Sequence, residues 1–178
     1  MAAPLEPHMS EDLAVDCYDS LSGQVALVTG ANRGLGEEIA GQLVDLGATV
    51  YAGARDPGDV TATDQRPIEL DVTDETEIAA ATDEIAADAG RLDVVVNNAG
   101  VFPESGPLDE MATGDLDPTL DVNLRGPTLV CKHALSLLLE RDGGRVVNMS
   151  SSLGQFSTGQ INGGYQPHLF QEKITRVA

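Results

Sequence analysis

Residues Thr29-Gly-Ala-Asn-Arg-Gly-Leu-Gly36 place Gly30, Gly34 and Gly36 in a Gly-x-x-x-Gly-x-Gly pattern. Glycine has no Cβ, so such a turn lets the backbone approach an anionic group closely. A helix that starts there adds free N–H groups and the positive end of its dipole. The chemistry implied is binding of a phosphate or pyrophosphate, through Gly30, Asn32, Arg33, Gly34, Leu35 and Gly36. A tight strand-to-helix connection could use the same glycines, so the motif takes its meaning from its flanks. Upstream lies the apolar run Val25-Ala-Leu-Val-Thr29; downstream, Ile39, Leu43 and Leu46 recur at helical spacing. The turn therefore stands between a strand and a helix, as a pyrophosphate-binding turn must.

The elements around that turn follow one rule. From Gln24 onward, short β-branched runs alternate with helical patterns, the signature of parallel βαβ units. Gly47 is expected to end the first helix. A second strand is predicted over Ala48–Ala52 and a third over Pro67–Leu70, leading to Asp71 and Val72. Ile78, Ala81, Ile85 and Ala89 fit one face of a helix between Asp74 and Ala89. Leu92–Val96 reads as a strand buried on both faces, followed by Asn97-Asn-Ala-Gly100. After a loop with Pro103, Gly106 and Pro107, a helix is predicted from near Asn123 to Glu140, with Pro127 tolerable in its first turn. Gly143-Gly144 breaks it, and Arg145–Met149 makes a fifth strand ending in Ser150-Ser-Ser152. The expected fold class is α/β: a doubly wound parallel sheet of Rossmann type, C-terminally truncated.

Composition narrows the rest. The 178 residues suit one domain, and an apolar content of 42% suits a globular one. No apolar run approaches the roughly 20 residues that cross a bilayer, and the N-terminus lacks a signal-peptide pattern, so a cytoplasmic protein without membrane partners is expected. Cys17 and Cys131 are read as unpaired thiols, and no metal motif is present. The net charge of −19 repels nucleic acid. The acids are scattered through the chain, as on the surface of a salt-adapted protein; an ordinary acidic protein is the alternative. The domain is expected over residues 23–165, after an acidic extension at 1–22 and before an irregular tail at 166–178.

Taken together, Thr29-Gly-x-x-x-Gly-x-Gly36, Asp71-Val72, Asn97-Asn-Ala-Gly100, Asn123 and the Ser151 region occur in the order used by short-chain dehydrogenases/reductases. The chain resembles that family from about Gln24 to Ser152. The resemblance implies hydride transfer between a nicotinamide cofactor and a carbonyl or alcohol carbon of a small molecule. It also implies that Asp71, with Val72 beside it, holds the adenine amino group, that Asn98, Ala99 and Gly100 line the adenosine side, and that Asn123 positions a water for proton relay. Whether the chain forms a homo-oligomer stays open.

Cofactor choice follows from charge. Sites that prefer NAD place an acid at the end of the second strand for the ribose 2′-hydroxyl, whereas a 2′-phosphate needs cations. Here that strand runs into Ala52-Gly-Ala-Arg55 with no acid before Asp56, and Arg33 lies in the glycine turn. Two arginines can clamp one phosphate, so NADP is the expected cofactor.

The family also needs a serine, a tyrosine and, four residues after the tyrosine, a lysine whose charge lowers the tyrosine's pKa. Ser151 fits the serine and Tyr165 lies near the tyrosine's spacing. Leu169 stands where the lysine belongs, and Lys173 is out of helical register. The Tyr-x-x-x-Lys pair is therefore not intact, and the residues from about Gln166 read as a frame change, with ordinary divergence the alternative. Impaired turnover is expected; the alternative is a nucleotide-binding fragment or pseudoenzyme.

Overall fold

Strand β1 (Val25–Thr29) is buried along its whole length. Strand side chains alternate, so Val25 and Leu27 enter one apolar cluster while Ala26 and Val28 enter another on the opposite face. A strand covered on both faces belongs in the middle of a sheet. Its neighbours are β2 (Thr49–Ala54) on one side and β4 (Val94–Asn97) on the other, both parallel to it. In the computed structural model β3 (Arg66–Glu69) and β5 (Arg145–Asn148) extend this parallel sheet outward, and with a last strand, β6 (Lys173–Arg176), the order is β3-β2-β1-β4-β5-β6. The structure describes residues 19–102, 112–141, 143–150 and 173–176.

Helix α1 (Gly34–Asp45) covers the face that holds Ala26 and Val28, through Ile39, Ala40 and Leu43. The other face is covered by α2 (Glu75–Ala89), through Ile78, Ala81 and Ile85, and by α4 (Gly126–Leu138), through Val130, Ala134 and Leu138. Helices on both faces of a parallel sheet are the doubly wound arrangement expected from the alternating pattern. The chain leaves β1 toward β2 and β3, then returns to lay β4 on β1's other side. The connections diverge there, and a crevice opens beyond the carboxyl ends of β1 and β4.

Two parts of the fold differ from expectation. The helix expected from near Asn123 is preceded by α3 (Thr113–Leu120), which runs into α4 through a π-helical turn at Asp121–Arg125. Gly114 and Pro118 masked α3 in the sequence, because both are poor helix formers. The wide turn has a local cause. Pro127 has no N–H for the Asn123 carbonyl four residues back and its ring crowds that carbonyl, while the Gly126 N–H bonds to Asp121 O instead. The second difference corrects the irregular tail: residues Lys173–Arg176 form β6, antiparallel to β5, in the register Arg145↔Arg176 to Asn148↔Lys173. The edge of β5 is paired there, since its N–H and C=O groups are a template for another strand.

Candidate functional site

The glycine turn is shaped by steric limits at three positions. Gly30 and Gly34 have φ of 64° and 57°, where a side chain would be strained. A Cβ on Gly30 would lie 3.0 Å from Ala99 Cα, and one on Gly36 would overlap the Gly30 carbonyl oxygen and the Asn98 amide. The start of α1 thus sits directly on the ends of β1 and β4. Its N-cap residue, Arg33, is extended and supplies no capping hydrogen bond. The first helical bond, from Glu37 N–H to Arg33 O, is 3.4 Å long. The N–H groups ahead of it have no side chain among the described residues to satisfy them, and they favour an anion. A Cβ-free cradle with an uncapped helix end fits a pyrophosphate.

The opposite wall is held by Thr29 and Asn98. The Thr29 hydroxyl is buried and accepts the N–H groups of Asn98 and Ala99, each at 3.0 Å. The Asn98 amide donates back to Thr29 O at 3.0 Å and Gly30 O at 3.1 Å. Four hydrogen bonds therefore lock the glycine turn to the end of β4. Thr29 stood at the head of the sequence motif without a role assigned to it; its hydroxyl, placed just before the first glycine, was the available signal. Asn97 is buried and donates from its amide to Asn148 Oδ1 at 2.9 Å, tying β4 to β5.

Beyond β3, Asp71 Oδ1 accepts from the Thr73 N–H at 2.8 Å and the Thr73 hydroxyl at 2.7 Å, and the Asp71 N–H donates to Glu77 Oε2 at 2.8 Å. The turn it shapes forms the cleft's third wall. Its partner helix is fixed nearby: Glu75 accepts from Lys132 at 2.6 Å and contacts His133 at 3.1 Å, linking α2 to α4. Those two partners hold the Glu75 carboxyl well below the usual carboxylate range, at about 2.

These walls enclose a cleft of about 660 Å³. All the cofactor residues predicted from sequence line it except Gly34, whose backbone starts α1 at its edge. Arg33 and Arg55 are both exposed on it, and neither side chain has an ion pair or hydrogen bond to another described residue. Asp59 also lines the cleft and went unnoticed in the sequence, because a short 3-10 turn (Pro57–Asp59) brings it back. Asn123 lies in the π-helical turn, where it accepts the Val101 N–H at 2.9 Å and donates to Val101 O at 2.7 Å. Ser151 and Tyr165 lie outside the described residues. Among the described residues no cluster of three or more His, Cys, Asp or Glu could hold a metal, and no helix is long and apolar enough to cross a membrane.

Residues 24–164 match the family described as short chain dehydrogenase. The chain is similar to D-threitol dehydrogenase of Mycolicibacterium smegmatis, with 39% identity over 153 residues, covering 80% of this chain and 58% of that protein. It is also similar to 2-dehydro-3-deoxy-D-gluconate 5-dehydrogenase of Formosa agariphila, with 34% identity over 160 residues, covering 83% of this chain and 60% of that protein. Among solved structures, a metagenomic short-chain oxidoreductase in complex with NADP matches with a TM-score of 0.64 and 37% identity, over 71% of this chain and 60% of that one. A short-chain dehydrogenase from Streptomyces avermitilis matches with a TM-score of 0.65 and 34% identity, over 71% of this chain and 48% of that one. The chain thus spans between 48% and 60% of the length of these proteins. A match that starts just before β1 and runs through most of the chain, to relatives built on the same sheet, shows that this chain belongs to the short-chain dehydrogenase/reductase family.

Proposed function

We propose that the cleft binds NADP(H) in preference to NAD(H), as part of an oxidoreductase that moves hydride between nicotinamide and a carbonyl or alcohol carbon of a small molecule. One observation carries the preference. In a chain with 10 basic against 29 acidic residues, Arg33 and Arg55 both line this cleft and neither is paired with an acid among the described residues. Unpaired guanidinium groups beside the ribose end of a nucleotide site suit a 2′-phosphate, through charge-assisted hydrogen bonds. The cofactor, when bound, supplies the hydride chemistry; Gly30, Gly36 and the start of α1 hold its pyrophosphate, and Asp71, Asn98, Ala99 and Gly100 line its adenosine half. Ser151 orients the substrate oxygen, Tyr165 handles the proton and Asn123 places a relay water. Leu169 in place of the family lysine leaves Tyr165 without the charge that lowers its pKa, so turnover by this chain is impaired. The reading of a nucleotide-binding module without turnover is favoured by that same residue.

Titration with NADPH and NADH tests the cofactor preference. Arg55→Ala is expected to lower NADPH affinity about tenfold and leave NADH affinity unchanged. Equal affinity of the unaltered chain for both nucleotides refutes the clamp. NADPH oxidation measured against a panel of carbonyls tests turnover; a rate typical of enzymes, with kcat of about 1 per second or more, refutes impairment. The −19 charge supports a salt-adapted surface, and loss of circular-dichroism signal in dilute buffer with recovery in molar KCl is the expected behaviour.

A further inference from the structure

No acid stands at the end of β2 itself. The fold returns one. β2 ends at Ala54, Arg55 follows, and Asp56 is engaged in capping the 3-10 turn, its Oδ1 accepting the Gly58 N–H at 2.8 Å. The turn then delivers Asp59 to the cleft wall, where its Oδ2 accepts from Asn32 Nδ2 at 3.5 Å. This bond tethers the turn to the glycine-rich loop across the cleft. Asp59 is exposed and forms no ion pair with Arg33 or Arg55, so its charge is not neutralised locally.

We propose that Asp59 is a specificity-determining residue: its carboxylate accepts from the ribose hydroxyls of an unphosphorylated cofactor and repels a 2′-phosphate, so that the cleft retains NADH as a second ligand. The proposal rests on the reading of Arg33 and Arg55 as a phosphate clamp. A carboxylate has acceptors and no donors, which suits a hydroxyl and opposes a phosphate. A phosphate monoester carries between one and two negative charges at neutral pH, so each is opposed by the Asp59 charge. The two arginines and Asp59 leave this end of the cleft with a single net positive charge, and neutralising Asp59 doubles it. All three groups are exposed, so salt screens the effect over a distance of about 10 Å at 0.1 M.

Asp59→Asn separates charge from structure, because the amide oxygen can still accept from Asn32. NADPH and NADH are each titrated by their own nicotinamide fluorescence, which a chain without tryptophan does not obscure. The unaltered chain, Asp59→Asn and Arg55→Ala are compared in about 0.1 M and molar KCl. Asp59→Asn is expected to tighten NADPH about threefold to tenfold and weaken NADH about threefold, with the change in ratio shrinking in molar salt. An unchanged NADPH-to-NADH ratio, or an equal factor on both nucleotides, overturns the proposal, since a tether that is only structural moves both together. Failure of the clamp is a different result: Arg55→Ala then leaves the ratio of the unaltered chain where it was. Absence of binding by either nucleotide overturns both.

Discussion

Helices α1 and α2 both begin just after a parallel strand, yet their N-termini are built in opposite ways. At α2, Asp74 Oδ1 accepts the N–H groups of Thr76 at 2.8 Å and Glu77 at 3.3 Å, and Glu75 and Glu77 place negative charge on the positive end of the dipole. At α1, Arg33 stands at the cap position with no capping bond, and glycines fill the approach. A cap is worth about 1 kcal/mol, so α1 forgoes stability that α2 retains. The comparison teaches where to look for binding. A helix whose first turn is satisfied by its own side chains is scaffold, and one left open over a Cβ-free cradle has N–H groups to offer an anion.

The largest effect should come from Gly36→Ala. The added methyl overlaps the Gly30 carbonyl oxygen and the Asn98 amide, so α1 must move off the strand ends. Calorimetric titration should show nucleotide affinity falling by roughly two orders of magnitude, and thermal unfolding should show a loss of about 2 kcal/mol. Unaltered binding would refute the close packing as the basis of the site. Asp74→Ala breaks the other helix start and should cost about 1 kcal/mol in urea unfolding with no change in nucleotide affinity. A matching loss of affinity would show that the two N-termini are not separable. Gly41→Ala sharpens the contrast within α1 itself. Nothing lies within 4 Å of a Cβ there, so the change should stabilise the protein by about 0.5 to 1 kcal/mol and leave binding alone.

The smallest effect concerns Glu75, in the first turn of α2. Its pKa is lowered by hydrogen bonds from Lys132 and His133, to about 2. A depressed carboxylate stabilises the fold above the ordinary carboxylate range, and that contribution is lost as the pH falls toward 2. Unfolding midpoints of Glu75→Gln and the unaltered chain should therefore differ slightly at neutral pH and converge in acid. Because the pair is exposed, the difference should also fade in molar salt. A gap that persists at low pH would assign the effect to packing instead of charge.

All five parallel strands were legible in the sequence, with ends displaced by a residue or two; β1 and β4 were plainest, because a strand buried on both faces leaves a nearly unbroken apolar run. Helix α2 was equally plain, its face marked by Ile78, Ala81 and Ile85 and its start by Asp74. Helix α3 was not, since Gly114 and Pro118 contradict a helix locally, and continuity with α4 depends on the wide turn before Pro127. β6 carries no signal of its own, because pairing is decided by the open edge of β5. At the site, the glycines were readable from their spacing, whereas Thr29 required the end of β4 to be beside it. Asp59 required a turn that reverses the chain after Arg55.

What the sequence by itself determined was the set of candidate binding groups and the layers that carry them: the glycine turn, Arg33, Arg55, Asp71 and the Asn98 region, each placed just after a predicted strand. Alternating patterns suffice for that, because side-chain period and strand burial are local properties. Only the tertiary structure decided that these groups share one cleft, which follows from the reversal that lays β4 on the far side of β1. The same closure decided that Asp59 faces the arginines' cleft while Asp56 caps its own turn, although both acids follow the same strand. Local sequence specifies which residue can accept a proton or a hydrogen bond. The partner it meets depends on how distant segments are packed, and three residues of turn are enough to change it.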